Sequence, residues 1–165
     1  MMPILYALLT CFFAIFLEGF FVALANFRFF FLLNMALFNK INWKYLLILV
    51  VLGSVVLDVI YHYVLGTNLL ITGISLLLML GISLLVPLEY NLPGYSVKFF
   101  CIFIYYLLLG FVPELISTGN WANITGLMVG GMVFKALISI AFCVVFDLIW
   151  SRLRKRDEGM KLRSL

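Results

Sequence analysis

Charge is scarce in this sequence. Asp, Glu, Lys and Arg together make up 11% of its 165 residues, where a soluble globular domain carries about a quarter. Histidine occurs once, at His62, and one imidazole cannot organise a familiar metal site or nucleophile–base pair by itself. The three cysteines, Cys11, Cys101 and Cys143, lie inside apolar runs. Their number is odd and no two have metal-ligand spacing, so neither a disulfide framework nor a zinc site is expected. The sequence also lacks G-x-S-x-G, H-E-x-x-H, a P-loop and a dinucleotide fingerprint. These absences leave no catalytic residue, metal or cofactor to propose.

What the chain has instead is apolar surface: 66% of its residues are hydrophobic and 17% aromatic. A soluble domain of this size could not hide so much, because small domains keep a large share of their area exposed. A cytosolic enzyme, a disordered tail and a secreted disulfide scaffold are excluded. The expected fold is an all-α integral membrane bundle, in one domain over residues 1–150.

A helix needs about 20 apolar residues, at 1.5 Å each, to cross about 30 Å of hydrocarbon. Four segments qualify without strain, residues 43–66, 69–87, 97–116 and 127–150, and their separators carry turn chemistry. These are Gly66-Thr67-Asn68, Glu89 to Gly94, and Ser117 to Asn120. The apolar stretch before Phe38 is too long for one span and is broken at Asn26-Phe27-Arg28. It divides into spans near 3–25 and 27–39, the second so short that it must thin the bilayer or pack as a partial span. Six spans are expected, with five as the alternative. The first stretch has no basic residue before it and runs too long for a signal peptide.

Orientation follows from Lys and Arg. With six spans, Lys40 and Lys44, then Lys98, then the tail share one side, and Arg28 alone faces the other. Both termini are then cytoplasmic. The tail, 151–165, carries the entire net charge of +4. Arg152, Arg154, Lys155 and Arg156, with Lys40 and Lys44, are expected to meet anionic lipid headgroups or cytoplasmic partners rather than nucleic acid. Asn123-Ile124-Thr125 matches a glycosylation sequon, a pattern common by chance.

Ionisable residues inside lipid cost several kcal/mol unless paired or hydrated. Glu18, Asp58 and Lys135 lie at similar expected depths, about 12 to 13 Å below the outer turns. We expect Lys135 to pair with Asp58 or Glu18, with His62 one turn above Asp58 on the same helix face. A ligand pocket and a proton relay are the functional alternatives for this cluster. Asp147 falls near the cytoplasmic end, within reach of Arg152, Arg154 or water, and Glu114 near the outer surface. Gly126-x3-Gly130 is a small-xxx-small spacing suited to helix packing. Trp43, Trp121 and Trp150 fall at expected boundaries, as belt residues do.

The block Gly53-Ser-Val-Val-Leu-Asp58-Val-Ile-Tyr-His-Tyr-Val-Leu65-Gly66-Thr-Asn-Leu69 resembles the Gly-x4-Asp and Leu-Gly stretch of the MreD family, rod-shape-determining membrane proteins of bacteria. The short apolar segment and basic loop before it, and the basic run after the last span, are similar too. Lys135 and the loop from Glu89 to Gly94 depart from the family pattern. The resemblance implies a non-enzymatic inner-membrane scaffold of the cell-elongation machinery, acting in peptidoglycan synthesis and cell-shape control. Its implied partners are MreC, RodA with its partner transpeptidase, and indirectly MreB. The chain also resembles the six-span S-components of energy-coupling-factor vitamin transporters, which implies the alternative of a substrate-binding component with an outward-facing pocket.

Overall fold

In a computed structural model, the protein is described over residues 2–25, 27–38, 40–85, 92–119 and 126–163, with side chains over 9–23, 27–38, 40–85, 93–119 and 126–152. These residues form six α-helices in chain order: α1 (Met2–Ala25), α2 (Phe29–Leu37), α3 (Trp43–Ile60), α4 (Thr67–Ser83), α5 (Leu92–Thr118) and α6 (Gly126–Arg163). Among the described residues three stretches are long and apolar enough to cross a membrane, Trp43–Ile60, Pro93–Thr118 and Gly126–Arg152, while Leu9–Ala23 and Thr67–Ser83 are shorter apolar helices.

Apolar bulk is on the outside. Phe12, Phe16, Leu85 and Leu127 are among the large hydrophobic side chains left exposed, whereas Glu18, Arg28, Asp58, Lys98 and Asp147 are buried. That inversion of the soluble pattern identifies lipid as the solvent for the flanks, since exposed apolar surface on this scale would aggregate in water.

The nine residues of α2 reach about 14 Å, less than half the hydrocarbon thickness. Eight of them are buried, as expected of a short helix that is apolar on every face but for Asn34. Successive side chains step by about 100°, so three consecutive phenylalanines meet different neighbours. Phe29 stacks on Phe21 of α1 and meets Phe142 of α6 edge-on. Phe30 lies against Gly53 of α3. Phe31 stacks on Tyr105 of α5, ring centroids 3.6 Å apart. The second apolar segment is therefore the hub of the bundle.

Gly53 is required by that hub, because a Cβ built there collides with the buried Phe30 ring. Gly53→Ala is expected to destabilise the protein by about 1–3 kcal/mol through overpacking, and Phe30→Leu in the same chain should recover part of the loss. Chemical unfolding in mixed micelles reads both. By contrast, a Cβ at Gly126 or Gly130 meets nothing within 4 Å among the described residues. The expected packing role of Gly126 and Gly130 within the chain is thus corrected: spacing alone did not show which glycines have a neighbour.

Helix ends also differ from expectation. α3 stops at Ile60 rather than continuing to residue 66, and α4 begins at Thr67 and stops at Ser83. α5 starts at Leu92, so Pro93 and Gly94 belong to its first turn. α6 runs unbroken from Gly126 through Arg163, so the basic tail continues the last helix. The expectations for Asn120, Trp121, the Asn123 sequon and the side chains of Arg154, Lys155 and Arg156 lie outside the described residues.

Candidate functional site: buried charges at two levels

Lys40 precedes α3, Lys98 lies in the second turn of α5, and Asp147 comes late in α6. All three meet. Lys98 Nζ is 2.6 Å from Asp147 Oδ2, and Lys40 donates to Asp147 Oδ1. Asp147 is 1% exposed, and the Phe146 ring lies 4.7 Å from the Lys40 ammonium. The contact puts the starts of α3 and α5 and the later part of α6 at one end of the bundle. It also corrects two expectations. Asp147 is partnered by Lys40 and Lys98, with no ion pair to Arg152 among the described residues, and the Lys40 side chain, mostly covered, is turned onto that carboxylate instead of toward headgroups. The reason is α2, whose short length draws residue 40 beneath the bundle. Lys44 and Arg152 are exposed.

At the other level, Glu18 of α1 faces the turn before α2. Its Oε2 accepts the Phe30 backbone N–H at 2.7 Å. Its Oε1 lies 3.6 Å from Arg28 Nη1 and accepts from the Tyr61 hydroxyl at 3.4 Å. The Arg28 guanidinium sits over the Tyr61 ring, 4.0 Å from its centroid, a favourable place for a desolvated cation. The Arg28 backbone N–H donates to the Tyr106 hydroxyl at 3.4 Å. The cation expected beside Glu18 was Lys135; it is Arg28.

Asp58 has no cationic partner among the described residues. Its carboxylate accepts from Gly66 N at 2.7 Å, Asn68 N at 2.8 Å and Asn68 Nδ2 at 2.9 Å. Two of these donors are backbone amides at the start of α4, whose N-cap position is Gly66 at φ +95, a left-handed conformation suited to glycine. Glycine has no side chain with which to cap, so Asp58 supplies the acceptor from the preceding helix, where the positive helix end favours an anion. The expected Asp58–Lys135 pairing is therefore corrected: backbone amides already satisfy the carboxylate. His62 does not stand one turn above Asp58, because α3 has ended and His62 is exposed with φ +55.

Lys135, partly buried on α6, has no acidic partner among the described residues. It lines a cavity of about 350 Å³ with Arg28, Tyr63 and Tyr106. Of the four expected cluster members, then, Glu18 and Lys135 both neighbour Arg28, while Asp58 and His62 do other work. Arg28 was missed as a site residue because it was assigned to an outer turn. Its signal was available: it is the lone cation between two apolar helices, and such a group needs a partner. No group of three or more His, Cys, Asp or Glu that could hold a metal occurs among the described residues.

No family model matches this chain, and neither a curated protein nor a solved structure matches it.

Proposed function

We propose that this chain is a non-enzymatic scaffold of a bacterial inner membrane, similar to the MreD family, in which it supports peptidoglycan synthesis and cell-shape control. The chain passes the bilayer six times in this reading, with residues 27–28 and the short α2 making the second passage. Both termini face the cytoplasm, as the shared end of Lys40, Lys98 and Asp147 and the basic tail suggest.

One observation carries the reading. Three of the distinctive residues in the block that resembles the family have architectural work: Gly53 admits Phe30, Asp58 caps α4, and Gly66 makes the turn. A block of this kind specifies a fold and contributes no reacting group. The apolar flanks are then available to a single-span partner like MreC, through the close packing that drives helix association in lipid. Purification from native membranes tests the proposal. A single-span coiled-coil protein is expected to co-purify in stoichiometric amount, and depletion should round the cells. Recovery of the chain with a vitamin bound, and no such partner, would favour the S-component reading instead. The cavity beside Lys135 is the feature that supports that second reading.

A further inference from the structure

The cavity lies where α5, α6 and two turns converge. Arg28 comes from the turn between α1 and α2, Tyr63 from the turn between α3 and α4. Leu109, Met128 and Met132 supply an apolar wall, and no carboxylate lines it among the described residues. Its two charged members are both cations.

Neither cation is fully satisfied. Arg28 is 6% exposed, yet its buried Nε and Nη1 have no hydrogen-bond partner among the described residues. The 3.6 Å approach of Nη1 to Glu18 is an ion pair and too long for a hydrogen bond. Lys135 has no counter-charge at all within hydrogen-bonding range among the described residues. One carboxylate, Glu18, thus stands against two cations, and it sits behind Arg28 rather than between them. Buried charges are normally paired and buried donors normally bonded. An oxyanion in the cavity supplies the counter-charge that Lys135 lacks and a second anion for Arg28, whose guanidinium presents the planar fork that carboxylate and phosphate fit.

We infer that this cavity is a binding site for an oxyanion, phosphate or carboxylate, held between Arg28 and Lys135 with an apolar body against Leu109, Met128 and Met132. The site does not depend on the scaffold reading, since the chemistry is set by the lining alone. The oxyanion can come from a lipid headgroup or from a soluble molecule.

The full-length chain in neutral detergent tests this through thermal unfolding followed by tryptophan fluorescence. Inorganic phosphate, octanoate and dihexanoyl phosphatidylglycerol are the probes; octanol and dihexanoyl phosphatidylcholine are the uncharged and zwitterionic controls. Saturable stabilisation by phosphate or octanoate assigns a soluble ligand. Stabilisation by phosphatidylglycerol alone assigns a headgroup. In either case Lys135→Met should weaken binding at least about tenfold, a difference of about 1.4 kcal/mol, and Lys135→Arg should restore it to within about threefold. If Lys135→Met does not fold, Met132→Trp fills the cavity with both charges kept and should weaken binding as much. The inference is overturned if no anionic probe stabilises the native chain, or if the folded variants bind as tightly as the native chain does.

Discussion

Asp147→Ala is expected to destabilise the protein by about 3–5 kcal/mol, the range for removing one member of a buried ion pair. The substitution leaves Lys40 and Lys98 facing one another across the space of the lost carboxylate, with side chains 13% and 9% exposed. Neither ammonium then has an anion, and the low-dielectric surroundings sharpen their repulsion. Because the three groups tie the starts of α3 and α5 to α6, the damage should open that end of the bundle. Equilibrium unfolding in mixed micelles measures the loss. The companion variant replaces all three residues, as Lys40→Met, Lys98→Met and Asp147→Leu. Desolvation no longer opposes folding there, so this variant should fall within about 1–2 kcal/mol of the native chain or exceed it. A fully stable Asp147→Ala would mean that water reaches the site.

Asp58→Ala is expected to cost about 3 kcal/mol. Three donors lose one charged acceptor, and hydrogen bonds to charged groups each contribute about 1.5–3 kcal/mol without adding fully. Two of those donors are the Gly66 and Asn68 amides at the start of α4, so hydrogen exchange at both should accelerate in step with the stability loss. Asp58→Asn keeps a single acceptor oxygen and should lose about half as much. This graded response separates capping from a proton relay, in which Asn would be as inactive as Ala while leaving stability untouched.

Helices and turns were largely legible in the sequence, because hydrophobic run length and Gly-Asn-Pro punctuation are local signals. The break at Gly66 is one example, although Thr67 and Asn68 already belong to α4 and α3 ends earlier than its apolar run because Asp58 draws the following residues back onto its carboxylate. Partner choice was not legible. Counting positive charges by side placed Lys40 and Lys98 at the same end, but it could not reveal that Asp147 gathers them inward across 107 and 49 residues of sequence. Arg28 was hidden for a related reason. The reversal between α1 and α2 returns it beside Glu18, and nothing local announces it. Small-residue spacing failed similarly, since the neighbour that makes Gly53 indispensable is a ring from the preceding helix.

Inward charge and outward hydrocarbon surface are the heart of the account, and nitroxide accessibility measures that arrangement directly. Labels would be placed singly at Phe16→Cys, Leu137→Cys and Val145→Cys, three positions that are 72%, 53% and 54% exposed. The host chain would carry Ala at the buried Cys11, Cys101 and Cys143 and be reconstituted in phosphatidylcholine bilayers. Oxygen concentrates in hydrocarbon and a nickel chelate in water, so all three labels should collide often with oxygen and rarely with nickel. Nickel collisions exceeding oxygen collisions at these sites would contradict the structure's assignment of lipid to the bundle's flanks.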